Sequence, residues 1–298
     1  MIIQMLLTGV VIPGIVALAL ALFFWPARKP GRKPGRLPHW MGGVVLAVTF
    51  LTGWILTRGW PDWPVRESAA WLPWLAVGGA VLGWLVAHQR LPGPTVAMLR
   101  MLVSVVTIWA TTQSLQTHTW QKAAWLWIIG LALVLFAAWS IWESVLAKRQ
   151  GVLPPLLLTG FFSCLAIMAL LGRTATVSQT TGILCAGLGA FFVVSLVRRD
   201  LDLSQSTLFV AMPLLAGLVV NAHFYAYMDV LQTMLLMACC LAVLLAVRFT
   251  PEEPQFAGLL LALLITVLPA LGGIAWDLLN SNVQTSSSEE EDPYAEYF

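Results

Sequence analysis

The chain alternates between ten apolar stretches and short polar connections. A bilayer core about 30 Å thick is crossed by roughly 20 helical residues, and each stretch is close to that length. Because lipid offers no hydrogen-bond partner to backbone N–H and C=O groups, we expect helices and not open strands. The pattern predicts spans at residues 2–25, 40–57, 69–87, 95–115, 123–143, 152–171, 178–197, 203–221, 230–247 and 256–276.

Composition agrees with a membrane protein. Of the 298 residues, 59% are hydrophobic and 10% are charged, whereas soluble globular proteins carry about 25% charged residues. We therefore predict an all-α, polytopic integral membrane protein whose residues 1–277 form one bundle of transmembrane helices. Many of the fifteen tryptophans stand near span ends, where their amphipathic rings favour the headgroup level.

The basic residues predict the orientation of the bundle. Twelve of the sixteen Lys and Arg residues fall on one side of the predicted spans, and only Arg58, Arg66, Lys122 and Arg173 fall on the other. The positive-inside rule makes the basic side cytoplasmic. Both termini are then extracytoplasmic, and we predict a multi-pass protein of a cell membrane, inner or plasma, of prokaryotic type.

The C-terminal segment differs from the rest of the chain. Residues 278–298 are mostly polar, and Ser286 to Ser288 precede the acidic run from Glu289 to Asp292. Such a segment cannot bury enough apolar surface to order itself. We predict a flexible acidic extracytoplasmic tail, which is either a solvated end or, through its last aromatic residues, a docking motif.

The fourth span carries a polar stripe. Its members recur at steps of three and four residues, which places them within an arc of about 80° on a helix. The stripe consists of Arg100, Ser104, Thr107, Thr111, Ser114 and His118. Lipid is a poor solvent for these groups, so this face is expected to point into the protein.

Two interpretations of the stripe remain open. In one, the hydroxyls line a path for a solute, with Arg100 and His118 near its two mouths. In the other, Ser and Thr allow close helix packing and bond to backbone carbonyls, while Arg100 extends to the interface. The sequence does not separate them.

Two further sets of polar residues are predicted to lie near the stripe. Glu143 lies about one turn inside the fifth span, at nearly the depth of Arg100 in the membrane. The two side chains are therefore candidates for an ion pair. Such a pair either gates the stripe or locks the two helices together. Asn221, His223 and Tyr225 follow the eighth span. They either line an outer vestibule with His118 or cap helix ends in water.

The leading functional hypothesis is a permease-like transporter of a small solute, with the fourth span lining the path. The span count is similar to that of five-plus-five metabolite carriers of the drug/metabolite transporter type, although those usually keep both termini in the cytoplasm. The alternatives are a non-catalytic subunit or scaffold in a complex with other membrane subunits and, second, an enzyme acting on lipid-linked substrates.

Several functional classes are not expected. We find no catalytic, nucleotide or metal motif, so we predict no enzymatic activity, no metal site and no cofactor. The net charge is only +2, and no basic run is interleaved with aromatic residues, which argues against a nucleic-acid partner. The expected partner is the lipid bilayer.

Overall fold

The protein is a bundle of long helices, seen here in a computed structural model. The structure describes residues 6–24, 40–65, 67–89, 91–149, 151–172, 174–197, 203, 205–226, 228–251 and 256–288, with side chains as far as 279. Within these ranges ten helices are long and apolar enough to cross a membrane. The predicted number of spans is confirmed, and the helices are compatible with a multi-pass membrane protein.

The helices follow the predicted spans closely. They are α1 (Leu7–Phe24), α2 (Met41–Arg58), α3 (Ala69–Gln89), α4 (Gly93–Thr111), α5 (Ala124–Lys148), α6 (Leu153–Leu171), α7 (Ala175–Val197), α8 (Gln205–Tyr225), α9 (Val230–Phe249) and α10 (Phe256–Ser288). Most ends lie within three residues of the prediction. The fourth span ends earlier than predicted, at Thr111, and the fifth continues to Lys148.

Hydrogen bonds between helix ends show how the chain alternates. The N–H of Gly43, in the first turn of α2, donates to Ser206 Oγ in the first turn of α8 at 3.3 Å. At the other end of α2, Arg58 Nη2 donates to the carbonyl of Thr176, in the first turn of α7, at 3.3 Å. The even-numbered helices α2 and α8 therefore start on one side and α7 on the other, as the predicted topology requires.

Helix α8 is the central element of the bundle. In its apolar window 83% of the residues are buried, against 33% in α3. Close backbone contact makes this possible: a Cβ atom on Gly79 of α3 would lie 2.2 Å from the carbonyl oxygen of Phe209 in α8. Because α3 and α8 would be counterparts in a five-plus-five repeat, the two halves of the chain do not pack equivalently.

The outside of the bundle is apolar. Phe23, Leu126 and Val197 are each more than 70% exposed, and a surface of this kind is unfavourable in water but matches acyl chains. Trp60 and Trp63, which are also exposed, lie beyond the end of α2, as interfacial anchors would. Trp120 is instead buried and packs against Phe224, with ring centroids 5.5 Å apart.

The predicted boundary at residue 277 does not coincide with a helix end. Helix α10 continues to Ser288, so part of the segment that we predicted to be flexible is helical. Adding residues to an existing helix avoids the unfavourable nucleation step, so polar residues can extend a helix that apolar ones start. The acidic run from Glu289 onwards lies outside the described residues.

Ser206 acts as an N-terminal cap for another helix. The first N–H groups of α2 have no partner within their own helix, and Ser206 Oγ accepts the N–H of Gly43. We expect Ser206→Ala to lower the free energy of unfolding by about 1 kcal/mol, as loss of a cap does. The measurement is unfolding of the purified protein by SDS in mixed micelles.

A matched control for this change is Ser144→Ala. The Ser144 hydroxyl donates to the carbonyl of Ile141 in its own helix, and a bond of that kind adds little stability. If both variants lost the same free energy, the capping role of Ser206 would be disproved.

Candidate functional site

The polar stripe of α4 is buried over its first part only. Ser104, Thr107 and Thr111 have no exposed surface, and Arg100 is 8% exposed. Ser114 and His118, by contrast, are exposed and lie beyond the end of the helix. Of the six residues that were predicted to line a path, the structure places four on one buried face and two outside it.

The stripe is interrupted because the chain leaves helical geometry at Thr112, where φ is −113° and ψ is 14°. Local side-chain bonds stabilise this break: Thr112 Oγ1 donates to the carbonyl of Ile108 at 2.6 Å, and Gln116 Nε2 donates to that of Trp109 at 2.8 Å. Polar side chains of this kind compete with helical hydrogen bonding. The run of polar residues from Thr111 onwards is the sequence signal for the break, and the predicted stripe from Arg100 to His118 does not lie on one continuous helix.

Two of the three buried hydroxyls bond to their own helix. Ser104 Oγ donates to the carbonyl of Arg100 at 2.9 Å, and Thr111 Oγ1 donates to that of Thr107 at 2.8 Å. The hydroxyl of Thr107 has no hydrogen-bond partner among the described residues, although it is fully buried. A buried, unpaired hydroxyl costs about 1–3 kcal/mol, so Thr107 is the member of the stripe that packing does not satisfy.

Arg100, Glu143 and Gln205 form a polar cluster near the basic side, which we call the Arg100 cluster. Arg100 Nη1 donates to Glu143 Oε2 in a salt bridge, and Gln205 Nε2 donates to Glu143 Oε1 at 2.6 Å. The side chains of Arg100 and Glu143 are 10% and 20% exposed, whereas Gln205 is exposed. The cluster thus joins α4, α5 and α8 and faces the surroundings through Gln205.

The apolar neighbourhood strengthens this cluster. The guanidinium carbon of Arg100 lies 5.8 Å from the ring centroid of Phe136, within the range of a cation–π contact. Each charge would be expensive to bury alone, and the pair with its extra hydrogen bond lowers that cost. Sequence reasoning considered Arg100 and Glu143 together from their depth, but it missed Gln205 because nothing in the sequence shows that α8 packs beside α5.

A second cluster lies at the opposite end of the stripe, at the carbonyl of Thr111. This oxygen, in the last turn of α4, accepts a hydrogen bond from Ser68 Oγ at 2.5 Å and one from Tyr225 Oη at 3.4 Å. The last carbonyls of a helix have no partner within it, which explains why hydroxyls from α8 and from the segment before α3 converge there. We call Ser68, Thr111 and Tyr225 the Thr111 cluster.

The three residues predicted to line an outer vestibule take different roles. Tyr225 belongs to the Thr111 cluster, whereas Asn221 is buried and its Nδ2 donates to the carbonyl of Gly217 in the same helix at 2.7 Å. His223 is half-buried, with Nδ1 2.9 Å from the carbonyl oxygen of Met228 and 3.1 Å from Thr233 Oγ1. Asn221 therefore bonds to the backbone of its own helix, whereas His223 contacts the loop after α8 and the Thr233 side chain in the first turn of α9.

The chemistry available to this site is polar binding. Arg100 supplies a cation, Glu143 an anion, and Thr107 and Tyr225 supply hydroxyls. Among the described residues no three His, Cys, Asp or Glu side chains come together in a way that could hold a metal ion. Comparison with known proteins gives no match: the chain matches no family model, no curated protein and no solved structure.

Proposed function

We propose that the chain is an integral membrane protein that moves a small polar solute along the seam between α4 and α8, with the basic side of the bundle in the cytoplasm. The observation that carries this proposal is the Thr107 hydroxyl, which is fully buried and has no partner among the described residues. A group that gives up a hydrogen bond on folding gains one when a polar solute or water reaches it.

The position of Thr107 supports this role. It lies seven residues from Arg100 and four from Thr111, which corresponds to roughly 10 Å and 6 Å along the helix. The unsatisfied hydroxyl is therefore between the Arg100 cluster and the Thr111 cluster. In an alternating-access cycle, one cluster would open while the other stays closed, so that the solute never meets a continuous channel.

Each cluster has the composition of a gate. Separating α4 from α8 on one side would break the hydrogen bond between Tyr225 and the Thr111 carbonyl. Separating α8 from α5 on the other side would break the hydrogen bond between Gln205 and Glu143, while Arg100 and Glu143 would remain paired. Single hydrogen bonds contribute only about 0.5–1.5 kcal/mol each, so neither bond by itself would hold its gate closed.

The test is the reactivity of a cysteine at position 107. The variant Thr107→Cys is made in a background whose native cysteines are alanine, and a small charged thiol reagent is added to reconstituted vesicles. The native cysteines are Cys164, Cys185, Cys239 and Cys240. We expect labelling at least about tenfold faster than at Ala132→Cys, because a minor open state exposes the seam.

Two controls make this result decisive. Ala132 is fully buried in α5, and it reports on general breathing of the bundle. Adding Tyr225→Phe removes one bond of the Thr111 cluster and should accelerate labelling at position 107 but not at 132. If position 107 stays as inert as position 132 with and without this change, the transport path is excluded.

A non-catalytic membrane subunit is the second candidate function. The observation that favours it is the bonding of Ser104 and Thr111 to their own helix, which is what a purely packed seam would show. Inert cysteines at position 107 would leave this candidate in place.

A further inference from the structure

A basic cluster lies at the ends of α5 and α9, away from the stripe. Arg149 Nη2 donates to the carbonyls of Val247 at 2.8 Å and of Thr250 at 2.5 Å. Val247 lies in the last turn of α9 and Thr250 directly follows the helix, so these carbonyls have no partner within it. Arg149 thereby ties the end of α5 to the end of α9, and it brings Lys148 and Arg248 to the same end of the bundle.

The charge of this cluster is not neutralised by the described residues. Within the described residues, the salt bridge found is the one between Arg100 and Glu143. Lys148, Arg149 and Arg248 form none there. Lys148 and Arg248 are exposed. Arg149 Nη1 is buried and has no hydrogen-bond partner among the described residues.

An apolar stripe leads along α9 to this cluster. Leu241, Leu244 and Leu245 are 61%, 40% and 52% exposed, and together with Arg248 they recur at steps of three, one and three residues. On a helix these four positions lie within an arc of about 100°. The outward face of α9 is thus apolar for two turns and ends in an exposed guanidinium.

We infer that this surface binds one anionic phospholipid. Its phosphate oxygens accept hydrogen bonds from Lys148 and Arg248, and one of its acyl chains lies along Leu241, Leu244 and Leu245. Arg149 is a positioning residue, because it holds the two helix ends together. A zwitterionic headgroup carries its own cation and gains less from the cluster, so charge distinguishes the two lipids. The inference requires a membrane environment but not the transport activity proposed above.

The test uses native mass spectrometry of the full-length protein in detergent, titrated with phosphatidylglycerol or with phosphatidylcholine of the same acyl chains. The full chain matters because Glu252 and Glu253 follow α9 in the sequence, outside the described residues, and their charge is then present in the measurement. We expect phosphatidylglycerol to bind more tightly than phosphatidylcholine. In Lys148→Gln/Arg248→Gln its affinity should fall about fivefold per cation, or about twenty-fivefold in all.

The matched control is Lys122→Gln, which removes an exposed cation from the opposite side of the bundle. It should leave the affinity for phosphatidylglycerol unchanged. Equal binding of the two lipids, or equal losses in the double variant and the control, would overturn the inference. Displacement of the lipid by inorganic phosphate at the same concentration would also overturn it, because the acyl contact would then contribute nothing.

Discussion

Replacing Glu143 by alanine is expected to lower the free energy of unfolding by about 3 kcal/mol or more, since it leaves a buried charge without its partner. Arg100 is only 8% exposed and its guanidinium is paired with Glu143. The variant also removes the acceptor of the hydrogen bond from Gln205. Unfolding of the purified protein by SDS in mixed micelles measures the effect.

Two controls separate the lost pair from a general disturbance of α5. Ser140→Ala removes a hydroxyl that donates to the carbonyl of Phe136 in the same helix, and it should change the stability by less than about 0.5 kcal/mol. The double variant Arg100→Met/Glu143→Leu should recover most of the loss, because apolar groups of similar size tolerate burial. A Glu143→Ala variant as stable as Ser140→Ala would show that the ion pair contributes nothing.

The second large effect is expected at the contact between α3 and α8. A methyl group added by Gly79→Ala would place Cβ 2.2 Å from the carbonyl oxygen of Phe209, and backbone atoms cannot rotate away as a side chain does. Because α8 is the central helix, the two helices must separate. Overpacking of this kind typically costs 1–3 kcal/mol, and we expect about 3 kcal/mol here.

The neighbouring residue supplies the control. Gly78 belongs to the same helix, and nothing lies within 4 Å of a Cβ atom added there. Gly78→Ala should therefore be neutral, or stabilising by up to about 1 kcal/mol through its better helix propensity. Equal SDS unfolding curves for the two variants would contradict the close approach of α3 and α8.

The predictability of the candidate site differs from residue to residue. The burial of Ser104, Thr107 and Thr111 follows from helical periodicity, because three hydroxyls on one face of a span avoid lipid. Ser114 and His118 lie beyond the end of α4, and the periodic pattern does not show this, because it does not reveal that the side chains of Thr112 and Gln116 bond to the carbonyls of Ile108 and Trp109.

Other parts of the site are not encoded in any local pattern. Gln205 and Ser206 stand at the start of a span where polar residues are ordinary, yet one bonds to Glu143 and the other caps α2. The central place of α8 is equally hidden in the sequence. In a span that is apolar all round, lipid-facing and protein-facing sides look alike, since neither faces water.

The sequence by itself determined the number of spans and their approximate ends, and it predicts which side carries the basic residues. These properties follow from the length of apolar runs and from the placement of charge, both of which are local. Only the tertiary structure decided which helix lies at the centre, which carbonyls at helix ends are capped from a distance, and which buried hydroxyls of the described residues, those of Thr107 and Thr207, stay unpaired. The physical reason is that helices in lipid associate through close packing and hydrogen bonds and not through hydrophobicity, so their partners depend on shapes that meet only in three dimensions.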